Sequence, residues 1–248
     1  MAAKVVKELR GFSGNQILLM KKHDQLFVRK IGSIDRNVER QYALKDNYPF
    51  PEIYGLHKNN FDMEYIHGLD MKTYLTTHSH EHLLNFLIGL FNSFCKNTEV
   101  KDYRETYRIK LAEIAFDNRL PFTKEELLDR LPNVVPQTIY HGDLTLENII
   151  YNEKKGFVLI DCQTSEYDSF IFDIAKMRQD LECKWFLRND NVMIDVKLKH
   201  IQMELVDQFP QAGNDYLLIL MLLRVYKYTK PNTFERDFIL DRIRELWK

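Results

Sequence analysis

His141-Gly142-Asp143-Leu144-Thr145-Leu146-Glu147-Asn148-Ile149-Ile150-Tyr151, with Phe157-Val158-Leu159-Ile160-Asp161 following a Lys154-Lys155-Gly156 turn, decides how the rest of this 248-residue chain is read. Two apolar, β-branched runs separated by a short turn form a hairpin. The pattern places Asp143 and Asn148 on one short loop, and the hairpin returns Asp161 to the same end of the sheet. Two carboxylates and an amide are therefore expected to converge. These are the hard oxygen donors that Mg²⁺ selects, and Mg²⁺ completes its octahedron with water and phosphate oxygens instead of a full protein cage. Such a donor set suits a nucleotide triphosphate.

On the N-terminal side, residues 1–67 read as strands around one helix. Short apolar runs at 5–9, 17–20 and 26–28 are separated by the turn-formers Gly11-Phe12-Ser13-Gly14-Asn15 and His23-Asp24. Ser33 or Asp35 is placed to cap a helix reaching about Lys45, which Asn47, Pro49 and Pro51 end. Residues 52–56 and 61–66 read as two further strands, the second closed by Gly68. Beyond Gly68 apolar residues recur at helical spacing, as in Leu83, Leu84, Leu87, Leu90, Phe91 and Phe94. Further helices are expected at about 198–209, 214–228 and 234–246, and 138–161 is the one strand-rich segment among them. The expected architecture is α+β: an antiparallel-sheet lobe with one helix (1–67) and a mainly helical lobe (68–248).

Charge names no partner. Lys plus Arg number 35 and Asp plus Glu 36, a net charge of −1 that gives no general pull toward nucleic acid or an anionic membrane. Three cysteines, Cys95, Cys162 and Cys183, are far apart and odd in number, so buried free thiols are expected in place of a disulfide framework or a metal knuckle. Residues 1–14 lack the apolar core of a signal peptide. The greasiest run, 216–225, is bracketed or interrupted by Asp215, Arg224 and Lys227, short of the ~20 apolar residues that span a membrane. A cytoplasmic protein with a buried helix there is expected.

The chain resembles the aminoglycoside phosphotransferase and choline kinase group, small-molecule kinases of the protein-kinase-like fold. The catalytic-loop pattern H-G-D-x-x-x-x-N matches His141 to Asn148 without a gap. The resemblance implies that Asp143 accepts the proton of the attacking hydroxyl, while Asn148 and Asp161 bind magnesium. It also implies that Gly11, Ser13 and Gly14 belong to a loop covering the nucleotide phosphates. Met63, Glu64 and Ile66 then stand in the hinge, where the backbone of Glu64 and Ile66 bonds the adenine edge and Met63 packs behind it. Asp173-Ile174-Ala175 resembles the segment whose buried Asp braces the catalytic loop.

Two assignments stay open at this level. Side chains alternate along a strand, so only one of Arg29 and Lys30 faces the nucleotide. A match to the protein-kinase V-A-I-K pattern favours Lys30, the choline-kinase pattern favours Arg29, and the reading leans to Arg29 as the phosphate clamp. Its helix partner is Gln41, where the family has an ion-pairing Glu, or Glu39 two residues earlier.

Only eleven residues, 162–172, separate Asp161 from Asp173, too few for the peptide-docking segment of a protein kinase. Gly142 replaces the Arg that receives a phosphorylated activation loop. The expected activity is transfer of the ATP γ-phosphate, with Mg²⁺, to a hydroxyl of a small-molecule acceptor: a sugar, an amino alcohol, an aminoglycoside or a cell-envelope polysaccharide precursor. A catalytically silent nucleotide-binding module is the alternative. His78, His80 and His82 are read as a polar helix entry and not as a zinc site. Trp185, Phe186, Tyr216, Tyr226 and Tyr228 are read as core before cage. Glu166, Asp168 and Asp180 are read as a solvated acidic face before a cation-selecting one.

Overall fold

The computed structural model describes residues 3–9, 16–32, 34–96 and 99–248. The expected phosphate-covering loop with Gly11, Ser13 and Gly14, and the cap candidate Ser33, lie outside them. In chain order the first elements are β1 (Lys4–Leu9), β2 (Gln16–Lys22), β3 (Gln25–Ile31), α1 (Asp35–Leu44), β4 (Ile53–His57), β5 (Asn60–Glu64) and β6 (Leu69–Asp70). Next come α2 (Met71–Thr77), α3 (Glu81–Phe94), β7 (Glu99–Asp102), α4 (Arg104–Ala112), α5 (Lys124–Arg130), β8 (Val134–Gln137), β9 (Ile149–Asn152) and β10 (Gly156–Leu159). The chain ends in α6 (Phe170–Leu181), α7 (Asp195–Gln208), α8 (Asp215–Tyr226) and α9 (Phe234–Leu246).

Two compact units are present. The first joins residues 1–71 to 148–164, and the second contains 72–147 and 165–248. Where the sequence reading drew one boundary at Gly68, the hairpin β9–β10 groups with the N-terminal residues, because β9 pairs antiparallel with β6 and the Leu159 N–H donates to the Pro49 carbonyl.

The first unit holds an antiparallel five-stranded sheet in the order β1-β2-β3-β5-β4 and a smaller sheet β10-β9-β6. Leu19 and Met20 of β2, Phe27 and Val28 of β3 and Phe61 of β5 are buried, each contributing about 1.5–3 kcal/mol by leaving water. The edge strand β1 leaves Val5 and Val6 exposed but carries Lys4, Lys7 and Glu8 and a bulge between Val5 and Lys7, features that discourage pairing with another chain. Gly68 is required by packing. A Cβ there would stand 2.2 Å from the Tyr151 carbonyl oxygen, where β6 approaches β9.

The second unit is helical apart from the β7–β8 pair, which the sequence reading did not anticipate. In α8 every residue from Leu217 to Leu223 is buried, as expected of a helix apolar on all sides. Helix α6 is buried along nearly its whole length although it carries Asp173, Arg178 and Asp180. Burial of charge is tolerable only where partners replace water. Arg178 has them: it pairs with Glu182 and, at 2.7 Å, with Asp215, and it donates to the Ala212 and Asn214 carbonyls at 3.0 and 3.2 Å.

Cys162 and Cys183 are buried free thiols, pushed up by burial to about 12, whereas Cys95 is half-buried. No helix among the described residues is long and apolar enough to cross a membrane. No group of three or more metal-ligating side chains is found among them either; His80 instead meets His200 at 2.7 Å.

Candidate active site

In the first unit a cavity of about 160 Å³ opens under β3 and β5. It is lined by Val28, Lys30, Asn37, Gln41, Met63 and Asp161 among others, with Glu64, Tyr65 and Ile66 along one wall. The volume is below the usual 300–1,000 Å³ of a drug-sized site, enough for part of a ligand such as its planar base. Strand alternation explains the lining. Val28 and Lys30 share one face of β3 and point into the cavity, while Arg29 points away.

Arg29 lies opposite Asp62 on β5 and donates both Nε and Nη2 to its carboxylate at 2.7 Å. The reading leaned to Arg29, whereas the side chain that enters the cavity is that of Lys30. A directly cross-strand carboxylate already engages that guanidinium, and the cation in the cavity is Lys30. Lys30 is 3% exposed and ion-paired with Asp161. Gln41 is buried beside it, yet its amide donates to the Pro51 carbonyl at 2.7 Å, and Glu39 is exposed; the ion-pair partner of Lys30 here is the carboxylate of Asp161 itself.

Asp161 stands just past β10 with φ 61°, a left-handed conformation that Asp tolerates better than most residues. The Asn37 amide ties it down, donating to Asp161 Oδ1 at 3.2 Å and to the Cys162 carbonyl at 2.8 Å. Sequence reasoning missed Asn37, although it sits four residues before Gln41 and so on the same face of α1. The register β9–β10 continues past the strands: the Ile160 N–H donates to the Asn148 carbonyl at 3.0 Å, which brings Asn148 next to the residue preceding Asp161. An amide oxygen and a carboxylate at one end of a hairpin are hard donors, and Asp161 is one-third exposed, so these residues fit a Mg²⁺ ion.

On the wall of the cavity the Glu64 N–H donates to the Glu52 carbonyl at 2.8 Å, and the Glu64 side chain pairs with Lys155. The Glu64 N–H is thus engaged within the first unit. Met63, expected to pack behind a base, and Ile66, expected to offer its backbone, both line the cavity.

The second unit holds the loop His141-Gly142-Asp143. Gly142 has φ 92°, a conformation that disfavours any side chain. The loop is pinned by Asp173, near the start of α6, whose two oxygens accept from the His141 and Gly142 N–H groups at 2.5 and 2.9 Å. Ser169 caps the same helix through the Ile171 N–H. Three residues after Asp173, Lys176 pairs with Asp143 at 2.7 Å. Burial pushes the Asp143 carboxyl up, but the charges of Lys176, Arg224 and His141 outweigh it, and the group is held below its ordinary value. Further along α6, Asp180 accepts from the Leu146 N–H at 2.7 Å and the Phe186 N–H at 3.1 Å. Burial, followed by the charge of Glu147, raises its carboxyl to about 7. Asp180 is thus a fully buried brace and no part of an acidic surface, and Lys176 and Asp180 were missed as site residues because only their i+3 and i+7 relation to Asp173 on one helix signals them.

Residues 50–197, more than half of the chain, match the phosphotransferase enzyme family. No curated protein matches the chain. Among solved structures, a thermostable mutant of the aminoglycoside phosphotransferase APH(4)-Ia in its apo form is similar with a TM-score of 0.69 and 9% identity, over 99% of this chain and 94% of that one. The choline kinase LicA from Streptococcus pneumoniae gives 0.63 at 14% identity over 99% and 93%. A Plasmodium vivax ethanolamine kinase gives 0.59 at 14% over 98% and 82%. These likenesses show the kinase-like α+β fold that the sequence led us to expect.

Proposed function

This chain belongs to the phosphotransferase enzyme family, and on that footing we propose that it moves the γ-phosphate of ATP, with Mg²⁺, onto a hydroxyl of a small molecule. The observation that carries the reading is the buried Lys30 paired with Asp161 in a cavity walled by Met63 and Ile66. An apolar slot for a base and a buried cation beside a metal-competent carboxylate form a triphosphate site.

In this reading Lys30 neutralises the α- and β-phosphates, and Asn148 and Asp161 hold Mg²⁺. Bound there, the ion offsets charge on the β- and γ-phosphates. Asp143 orients the acceptor hydroxyl. The hydroxyl oxygen bonds to the γ-phosphorus, the bond from phosphorus to the β,γ-bridging oxygen breaks with its electron pair leaving on ADP, and the hydroxyl proton passes to an Asp143 carboxylate oxygen. Because phosphoryl transfer has a loose transition state, the demand is for alignment more than for a strong base. A carboxylate held below its ordinary value by Lys176 meets that demand. Gln41, which stands where the family has an ion-pairing Glu, is engaged by the Pro51 carbonyl, and Lys30 has its counter-charge without it.

The test is incubation of the purified protein with γ-labelled ATP, Mg²⁺ and panels of sugars, amino alcohols and peptides. Label in a small product supports the reading. Binding of ATP without transfer to any small acceptor supports the silent module, and label in peptide contradicts both.

A further inference from the structure

Two devices select a cationic acceptor: acidic side chains aimed at it, or an aromatic cage. This chain has candidates for both, and its own groups occupy them. Asp168 accepts from Lys101 at 2.6 Å and from Tyr103 at 2.8 Å, Asp180 is consumed by two backbone N–H groups, and Glu166 pairs with Lys110 at 3.3 Å. Of the five rings weighed for a cage, Phe186 is buried and the other four already carry a cation of the chain. Arg188 lies 4.1 Å from the Trp185 ring centroid, Arg130 5.3 Å from that of Tyr216, Arg236 4.0 Å from that of Tyr226, and Lys227 5.7 Å from that of Tyr228.

One cation stands differently. Arg224, near the end of α8, is half-buried and makes no ion pair among the described residues. It donates to Met221 Sδ at 3.3 Å and lies 5.1 Å from the Tyr167 ring centroid. Its charge reaches the Asp143 carboxylate without direct contact, and a half-buried guanidinium with no carboxylate against it keeps its binding capacity for an anion. Its position follows from helix packing. Arg178, late in α6, meets Asp215 at the start of α8, whereas Tyr167, just before α6, meets Arg224 at the end of α8, so the two helices run antiparallel. Arg224 therefore lies toward the end of α6 from which Asp173 reaches the catalytic loop.

Resting on the phosphotransferase reading and deepening it, we infer that the acceptor is an alcohol bearing a negative charge, its carboxylate or phosphate received by Arg224 while its hydroxyl faces Asp143. Lys176, 2.7 Å from Asp143, keeps that carboxylate from repelling the anionic acceptor. The site is thereby closed to a polycation or a quaternary ammonium alcohol.

Three probes of nearly one shape separate charge from everything else: glycerate, glycerol and 3-amino-1,2-propanediol. We would measure transfer of labelled phosphate to each and, with ADP and Mg²⁺ present, the Kd of each. Glycerate is expected to exceed the amine at least tenfold in kcat/KM, or to bind with a Kd at least tenfold lower. Arg224→Gln should erase the preference for glycerate over glycerol, and Arg224→Lys should restore most of it. Should Arg224→Gln fail to fold, loss of the glycerate preference at high salt in the unaltered enzyme carries the same information. The inference is overturned by equal or better use of the amine, by a preference that survives Arg224→Gln, or by an enzyme that binds MgATP and responds to none of the three. MgATP binding without acceptor, read as a rise in unfolding midpoint, tests the phosphotransferase reading by itself. The two failures are thus distinguishable.

Discussion

Lys30 and Arg29 are chain neighbours with opposite surroundings, and their substitutions should separate cleanly. Lys30 is all but inaccessible and answered by Asp161; Arg29 is answered across the sheet by Asp62. Lys30→Met should keep the fold and lower kcat/KM for ATP by on the order of 10²-fold, the cost of one charge-stabilising group. Arg29→Met should leave it within about threefold. Steady-state kinetics on both variants checks the assignment, and the reverse order would return the clamp to Arg29. Asp143→Asn should retain ATP binding and lose on the order of 10²–10⁴ in turnover. Near wild-type turnover there would remove Asp143 from its role. At this scale the sequence identified residue types well but not their partners. Alternation says that Arg29 and Lys30 face opposite ways; only the register, with Asp62 opposite Arg29 and Phe61 opposite Lys30, says which way is in.

Elements explain the residues that were not legible. The strands and helices themselves follow from period-2 and period-3.6 patterns, and α8 and α9 lie close to where spacing put them. The pair β7–β8 escaped notice because its strands are four residues each and lie far apart in the chain. Helix α6 escaped in another way. Its Asp173 was recognisable by motif, but Asp180 reads as an ordinary surface carboxylate until the helix is seen to be buried throughout. That burial has a pH signature. In the unfolded chain Asp180 titrates near 3.9, and in the fold near 7, so between these values the folded state binds more protons. Stability contributed by this group is full below about pH 4 and declines as pH rises toward 7. Asp180→Asn should flatten that decline, measured as urea-unfolding free energy against pH, while losing about 1–3 kcal/mol overall because an amide N–H cannot accept from a backbone N–H. A slope unchanged by the substitution would assign the titration elsewhere. Gly68→Ala should cost about 1–3 kcal/mol by the same assay, since the added carbon meets the Tyr151 carbonyl oxygen at 2.2 Å and the Ile150 side chain at 2.7 Å. Loss of less than 0.5 kcal/mol would show that β6 can shift away from β9 freely.

For the whole molecule, the sequence reading put one boundary at Gly68, whereas the first unit also takes in 148–164, because pairing between β6 and β9 joins residues some eighty positions apart. The first unit is discontinuous. A fragment ending at Met71 lacks β9, β10 and Asp161, leaving β6 without its strand partner and Lys30 without its counter-charge. Such a fragment should show no cooperative unfolding transition by circular dichroism, whereas the same residues joined by a short linker to 148–164 should show one. A cooperative transition in the short fragment would mean that the hairpin is dispensable.

That discontinuity also imposes an order on synthesis. At about 5–20 residues per second, the ribosome takes roughly 5–20 s to travel from the last residue of the first segment to the end of the second. Throughout that interval β6 without its neighbouring strands, and a lysine destined for the interior without its counter-charge, wait in the exit vestibule for the hairpin. The nascent chain is then most exposed to chaperones and proteases, and slow codons between 72 and 147 would lengthen the wait.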